Sequence, residues 1–294
     1  MAKTPNKTSI PKVIITATNL RVLDFVAKYQ FVSRRMIQLV LFPHCKSHKA
    51  VTTRLRKLRL NGYVARAKMN LVLDGQNPIP IYHLTKKGAK ALANGYSNPE
   101  YLNCNIKPPA SHLLYHWLGI VETHILVDNA IAADGLVEMI DFYSEWETIN
   151  KAQPNPALHF SLHTRLQDSP PLSVAPDFGF IVESKGFQKV FYGEYDRGPD
   201  SVRRIQRKKP PGYFFLHQHQ LHKKHFPSCQ DNNFLILMIT TTEYRRDELA
   251  RKISTRDGAP LWRFAIKSDL SSESLFRLPV WKNCDNEFCS LIKR

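Results

Sequence analysis

The chain has 294 residues, of which 43% are hydrophobic, and a formal net charge of +17. It is long and apolar enough for two domains with cores of their own, which excludes an intrinsically disordered protein. The longest apolar run, residues 234–239, is too short to span a bilayer, and no secretory signal opens the chain. The five cysteines are scattered, unlike those of a disulfide-stapled secreted domain, so we expect a protein of the reducing cytoplasm.

The positive charge is concentrated in the first third of the chain. Residues 1–110 carry 19 lysines and arginines against three acids, whereas the remainder is almost neutral. A compact domain with such a surplus favours a polyanionic partner, either nucleic acid or an anionic membrane surface. Because no segment has the features of a membrane anchor, we expect double-stranded DNA and no membrane.

The N-terminal region predicts a flexible arm followed by three helices. Residues 1–12 are polar and basic and form the arm. Thr18 or Asn19 is predicted to cap a first helix that ends within residues 29–32. Ser33 is predicted to cap a second helix over residues 34–41, and Ser47 a third that runs to about Leu60.

The third helix is predicted to have one apolar side and one basic side. Val51, Leu55 and Leu58 recur at helical spacing and form a narrow core-facing stripe. Charged and polar residues occupy the other positions, as in a helix that enters a DNA groove. The alternative is an ordinary solvated face, which is the usual fate of a charge run.

A hairpin and a closing helix are predicted next. Apolar segments at residues 63–67, 71–73 and 79–84 flank a turn at residues 74–78. The run Tyr82-His83-Leu84-Thr85-Lys86-Lys87-Gly88 resembles the junction between wing and helix in bacterial winged-helix regulators. Residues 13–96 are therefore predicted to form an all-α/winged helix-turn-helix domain.

Two kinds of DNA contact are expected from this domain. Base edges supply specificity, for which Thr52, Thr53 and Arg56 are candidates, while phosphates supply affinity. The candidates for phosphate or general DNA contact are Arg34, Arg35, Lys46, Lys49, Arg54, Lys57, Arg59 and Lys68.

A linker at residues 97–109, with three prolines within residues 94–109, is predicted to separate this domain from an α/β domain over residues 110–294. Helices are predicted at residues 112–133, 201–209 and 243–253. Strands are predicted at residues 136–149, 172–183, 190–196 and 234–241, with a polar loop at 150–171. The overall fold class is α/β.

Acidic residues are predicted to converge on two neighbouring strands of the second domain. Pro176-Asp177 lies on one predicted strand, and Glu194-Tyr195-Asp196 ends the next. Carboxylates that meet at a strand edge provide the hard oxygen ligands that Mg²⁺ requires. Each motif also has a simpler explanation, because Pro-Asp is a common turn dipeptide and Glu-x-Asp-Arg-Gly can end a strand at a salt bridge.

This arrangement resembles the PD-(D/E)XK nuclease fold. More narrowly, the whole chain resembles the replication-relaxation family of plasmids and mobile elements. The features shared with that family are the winged helix, a helix that starts near His116, Glu145 on the first strand, Pro176-Asp177, Glu194-Tyr195-Asp196-Arg197-Gly198, a basic helix and Tyr213. The resemblance implies Asp177 and Glu194 as metal ligands, Glu145 as a further acid, and a bacterial protein associated with the nucleoid or a plasmid.

Asp196 departs from the nuclease pattern, since it stands where active nucleases usually have lysine. That lysine orients the attacking water and offsets charge on the phosphate. Lys208 or Lys209, on the following helix, can supply a replacement ammonium; alternatively the site is degenerate. The candidate catalytic residues are Glu145, Asp177, Glu194, Asp196 and Lys209.

The first hypothesis is a non-enzymatic DNA-binding protein that acts in plasmid replication, transfer or transcriptional control. The rival hypothesis is a Mg²⁺-dependent endonuclease or nickase that the winged helix delivers to its site. A replication, transfer or transposition protein as partner, a homodimer, and zinc binding by the histidines of residues 217–225 are left open.

Overall fold

The structure, a computed structural model, describes residues 13–67, 79–104, 106, 113–149, 154, 159–198 and 201–292. Contacts divide the chain into two units, residues 1–122 and residues 123–294. Helices and strands are mixed along the chain, which confirms the predicted α/β class. Within the described residues, no helix is long and apolar enough to cross a membrane.

The described part of unit 1 contains four short helices, the start of a fifth and a small sheet. These elements are α1 (Ala17–Tyr29), β1 (Val32–Ser33), α2 (Arg34–Leu41), α3 (Lys49–Leu60), β2 (Val64–Ala67), β3 (Ile81–Leu84) and α4 (Lys86–Tyr96). The strand order is β1-β3-β2, and β3 is antiparallel to both neighbours. A 3₁₀ helix, Pro99–Asn103, follows α4, and its Tyr101 donates a hydrogen bond of 2.7 Å to Asp24.

Local sequence signals predict most of unit 1. Helix α2 has the predicted bounds and is capped by Ser33, and Thr85 caps α4 by accepting from the Gly88 N–H at 3.1 Å. The predicted cap of α1 is wrong, because Thr16 accepts from the Asn19 N–H. The N-cap of α3 is His48, which makes no side-chain cap, instead of the predicted Ser47; Ser47 Oγ accepts from the Lys49 N–H at 3.2 Å. The arm at residues 1–12, the apolar segment at 71–73 and the turn at 74–78 lie outside the described residues.

Helix α5 (Leu114–Asp134) contains the boundary between the units, and the remaining elements belong to unit 2. Its strands are β4 (Val137–Ser144), β5 (Thr164–Gln167), β6 (Leu172–Val174), β7 (Phe178–Ser184), β8 (Phe187–Tyr195), β9 (Phe234–Thr240), β10 (Trp262–Ile266), β11 (Trp281–Lys282) and β12 (Phe288–Cys289). Its further helices are α6 (Val202–Gln218), α7 (His222–His225) and α8 (Glu243–Ile253).

Unit 2 is built on a seven-stranded sheet in the order β12-β11-β10-β9-β8-β7-β4. Strands β8, β9 and β10 are parallel, while β4, β7 and β8 form an antiparallel series. Helices α6 and α7 connect β8 to β9, and α8 connects β9 to β10. Tyr192, Tyr213, Phe234 and Trp262 are completely buried and contribute to the core between this sheet and the helices.

Several predicted boundaries in unit 2 are wrong. The strand predicted over 172–183 is two strands, β6 and β7, because the chain breaks at Ala175-Pro176-Asp177, and β5 lies inside the predicted loop 150–171. The helix predicted over 201–209 continues to Gln218 through two prolines. The histidine-rich stretch 217–225 spans the end of α6 at Gln218 and the start of α7 at His222.

An acidic site and an exposed basic helix

Asp177 lies where the candidate acids meet, next to the ends of β4 and β8. It lies in the break between β6 and β7, not on a strand as predicted. Its N–H donates to the Gly193 carbonyl at 3.1 Å, and its Oδ2 accepts from the Tyr195 N–H at 2.6 Å. The buried Asp177 carboxylate is therefore held against the end of β8.

Glu145 lies beside Asp177. It follows β4 directly, whereas the sequence predicted it on that strand. Its N–H donates to the Asp177 carbonyl at 2.8 Å, and a carboxylate oxygen of each residue lies within 4.8 Å of the other. Two hard oxygen donors at this separation suit one divalent cation such as Mg²⁺.

Glu194 is the third acid and is only 4% exposed. It lies near the end of β8. Its Oε2 accepts from Lys209 Nζ at 2.7 Å, and its Oε1 accepts from the Tyr213 hydroxyl at 2.6 Å. Both carboxylate oxygens are thus engaged by side chains of α6, and an ion that binds Glu194 shares these oxygens with them.

Lys209 is the helix residue that supplies an ammonium to the acids. The sequence left Lys208 and Lys209 as alternatives, and the structure places only Lys209 on the side of α6 that faces Glu194, while Lys208 is exposed. Lys209 Nζ also lies 3.4 Å from the Ala175 carbonyl. It therefore contacts both the acid of β8 and the chain just before Asp177.

Burial and charge set the protonation of this cluster. Burial raises the pKa of Glu194 to about 7, and the Lys209 ammonium opposes this rise while Asp177 adds to it. Burial disfavours the charged form of Lys209, but Glu194 and Asp177 outweigh it and raise the pKa of that ammonium. Burial also raises the pKa of Tyr213 well above its ordinary value, so Tyr213 acts as a neutral donor.

Asp196 forms an ion pair with an arginine of α8 and not with Lys209. Its Oδ2 accepts from Arg245 Nε at 2.6 Å, and its Oδ1 accepts from Arg245 Nη2 at 3.3 Å and from the Gly198 N–H at 3.0 Å. Arg245 therefore neutralises the negative charge that the sequence placed at the lysine position. Sequence reasoning missed this residue, since nothing in the spacing connects it to Asp196.

The basic residues of unit 1 divide into an exposed set and a tethered set. The exposed charged and polar residues of α3 are Lys49, Thr52, Thr53, Arg56, Lys57 and Arg59, and Arg35 and Lys46 are also exposed. Arg34 Nη1 donates to Thr52 Oγ1 at 3.2 Å. Arg54 Nη1 donates to Asn19 Oδ1 at 2.6 Å and ties α3 to α1. Lys68 lies outside the described residues.

The histidines considered for zinc have other bonds in the fold. His225 Nδ1 lies 2.6 Å from the Tyr192 hydroxyl, and its Nε2 lies 2.5 Å from Thr164 Oγ1. Burial lowers the pKa of His225 to about 4, so the ring is neutral near pH 7. His222 Nε2 lies 3.0 Å from the Asp231 carbonyl. These contacts account for both histidines as parts of the packed core.

A family model described as replication-relaxation matches residues 23–229, which is more than half of the chain. The matched range includes α3 and all five candidate residues of the acidic site. The match confirms the resemblance inferred from the motifs. No curated protein and no solved structure matches the chain.

Proposed function

The chain belongs to the replication-relaxation family, which suggests a replication-related function in a plasmid or mobile element, and we propose that it binds double-stranded DNA through unit 1. The order of α1, α2 and α3, followed by the β2–β3 pair and α4, supports a winged helix-turn-helix domain over residues 13–96. In this assignment α3 enters the major groove.

The observation that carries the proposal is the separation of residues around α3. Val51, Leu55 and Leu58 are at most 2% exposed, whereas Arg56 and Lys57, between them in sequence, are exposed. A helix held by its apolar side presents these cations to a groove in a fixed orientation. Thr52, Thr53 and Arg56 would contact base edges, and Lys49, Lys57 and Arg59 would contact phosphates.

The salt dependence of DNA binding tests this proposal. Fragments selected from a random DNA pool would supply the ligand, and affinity would be measured over a range of salt concentrations. The double variant Arg56→Gln/Lys57→Gln should bind more weakly, and the slope of log affinity against log salt should fall by about 0.9, because Lys57 is the phosphate contact that it removes and each such contact contributes about 0.9.

A matched control comes from α4 of the same unit, where Lys86 and Lys90 are exposed. The variant Lys86→Gln/Lys90→Gln removes the same charge outside α3 and should keep most of the affinity. Equal losses of DNA affinity in the two double variants would show that only net charge matters. Unchanged DNA affinity in the α3 variant would refute the proposal.

A second candidate function is Mg²⁺-dependent cleavage of DNA by unit 2, as a PD-(D/E)XK nuclease-like domain. The specific observation in its favour is that Lys209 stands beside Glu194, with Asp177 and Glu145 next to it. The carboxylate oxygens of Asp177 and Glu145, within 4.8 Å of each other, suit a hard divalent cation. Glu194 is the further ligand that the motif resemblance implies beside them. Such an ion activates water and offsets charge on a phosphate.

In this candidate, each side chain has a role that follows from its contacts. Lys209 would place an ammonium next to the reacting phosphate, as the lysine of active nucleases does. Tyr213, through its bond to Glu194 Oε1, would hold that carboxylate in one orientation. Arg245 would keep the charge of Asp196 from opposing the developing anion.

Incubation of supercoiled plasmid with Mg²⁺ or Mn²⁺ tests the second candidate, with Asp177→Asn as the control variant. Asparagine keeps an acceptor for the Tyr195 N–H but loses the charge. Nicking by the wild type alone would support cleavage. A rise in melting temperature with Ca²⁺ that the variant lacks would detect ion binding without turnover. If the wild type neither nicks the plasmid nor gains melting temperature with Ca²⁺, unit 2 is a non-catalytic domain.

A further inference from the structure

Helix α6 has a basic surface on the side away from the acidic site. Arg203, Arg204, Arg207 and Lys208 are exposed, and together with Ser201 they line one open depression. Val202, Ile205 and Tyr213 are buried on the other side of the helix, which also carries the Lys209 ammonium that contacts Glu194. We call the four exposed cations the α6 ridge.

The α6 ridge opposes the stability of its own helix. Arg203 and Arg207, and likewise Arg204 and Lys208, are four residues apart, so each pair places like charges next to each other, at a cost of about 0.2–0.5 kcal/mol. Arg203 and Arg204 also lie in the first turn, where the helix dipole favours anions, and that turn contains no acid. Folding alone gives no reason for this arrangement.

On helix α8 of the same unit, the basic side chain of Arg246 is paired with acids. Arg246 donates to Asp247 at 2.7 Å and to Glu243 at 2.9 Å, and Lys282 also donates to Asp247. In contrast, no ion pair within the described part of the chain includes Arg203, Arg207 or Lys208. The charges of Arg203, Arg207 and Lys208 are therefore not compensated, within the described residues, in the way that the charge of Arg246 on α8 is.

We infer that the α6 ridge binds the phosphate backbone of DNA, so that unit 2 contacts DNA independently of α3. A polyanion would relieve the repulsion within the ridge, and the arginine guanidinium groups can each hold a phosphate through two hydrogen bonds. The ridge lies within two helical turns of Lys209, which brings the bound DNA near the acidic site. This inference rests on the proposed DNA binding.

The test compares full-length proteins by the salt dependence of their DNA binding, in EDTA so that no cleavage occurs. The triple variant Arg203→Gln/Arg207→Gln/Lys208→Gln should lower the slope of log affinity against log salt by up to about 2.7, which is three phosphate contacts at about 0.9 each. Glutamine keeps the helix propensity, so the variant should fold normally.

The control triple variant is Lys185→Gln/Lys224→Gln/Arg251→Gln, whose residues are exposed and lie outside α6. The inference predicts that this control keeps the wild-type slope. A ridge variant with the wild-type slope would overturn the inference, and equal decreases in the two triple variants would also overturn it. Melting temperatures of both variants would verify that each remains folded.

The failure of this inference differs from the failure of the proposed function of unit 1. If Arg56→Gln/Lys57→Gln lowers the slope and the ridge variant does not, unit 1 binds DNA and the ridge does not. If the ridge variant alone lowers it, the ridge binds DNA and α3 is not the recognition helix. If both variants lower the slope, both surfaces contact phosphates, as the two proposals together predict.

Discussion

Lys209 Nζ lies 2.7 Å from Glu194 Oε2, although the two residues are 15 positions apart in the chain. The ammonium comes from helix α6 instead of from the strand that carries Glu194. Asp196, at the position two residues after Glu194, is paired with Arg245. Where the nuclease pattern has lysine, this chain has Asp196. Two cations accompany this difference: Lys209 beside Glu194 and Arg245 beside Asp196.

The first prediction concerns the pH dependence of stability. The pKa of Glu194 is about 7 in the folded protein and about 4.5 when the chain unfolds, so the folded state holds the proton more tightly. The free energy of unfolding should therefore fall as pH rises from about 4.5 to about 7. Urea titrations at pH 5 and pH 8 should show a smaller fall for Glu194→Gln. Equal falls in both proteins would contradict the shift.

The second prediction separates a catalytic from a structural role of Lys209, and it applies if the wild type nicks plasmid. Lys209→Gln should abolish nicking, because the ammonium beside Glu194 is lost. Lys224→Gln, which removes an exposed lysine outside the site, should nick at the wild-type rate. Measurements below the melting temperature of each variant exclude unfolding as the cause. Full activity of Lys209→Gln would remove this residue from the mechanism.

The third prediction concerns the ion pair between Asp196 and Arg245, whose side chains are 6% and 12% exposed. Arg245→Gln leaves a buried carboxylate without its cation and should lower the free energy of unfolding by about 3 kcal/mol. The double variant Asp196→Asn/Arg245→Gln should lose less than the sum of the two single variants. Strict additivity in chemical denaturation would show that the pair contributes no coupling energy.

The fourth prediction assigns Arg54 to stability instead of to DNA binding. Arg54→Met removes the donor to Asn19 Oδ1 and leaves a buried acceptor unpaired, which should cost about 1–3 kcal/mol. At a temperature where the variant is fully folded, its DNA affinity should stay within about twofold of the wild type. A decrease as large as that of Arg56→Gln would instead place Arg54 on the DNA.

The fifth prediction concerns Gly193, which precedes Glu194 on β8. A Cβ atom at this position would lie 1.8 Å from Cζ of the buried Phe178, so Gly193→Ala overpacks the core and should cost 3 kcal/mol or more, about the upper end for such changes. Shortening the neighbour in Gly193→Ala/Phe178→Leu should restore part of the loss. Thermal unfolding measures the stability of the single and the double variant. A single variant as stable as the wild type would show that the backbone of β8 can move.

Elements bounded by strong local signals could be predicted from the sequence. Helix α2, between its Ser33 cap and Pro43, and helix α8, after Thr242, have the predicted bounds. Helix α6 does not, because Pro210 and Pro211 normally end a helix at a cost of about 3 kcal/mol each. Tyr213 and Leu216 are completely buried, and their packing offsets that cost. A tertiary contribution of this kind is not visible in a local pattern.

The acids of the candidate site could be predicted because motifs in sequence order mark them, but their partners could not. Lys209 was one of two alternatives, since choosing between neighbouring helix residues requires the rotation of α6 against the sheet. Arg245 lies 49 residues from Asp196, and only the crossover from β9 to α8 brings them together. Long-range pairs of this kind depend on topology.

The hydrogen bonds of Asp177 determine which positions could distinguish relatives that cleave DNA, if any do, from relatives that do not. Its backbone and its carboxylate join the end of β8 to the residue after β4, so the fold itself requires a polar acceptor at this position. An aspartate there is consequently expected in inactive as well as active relatives. The informative positions in a survey are the cation sources, Lys209 and Arg245, which for this chain lie on α6 and α8 and not on the strand.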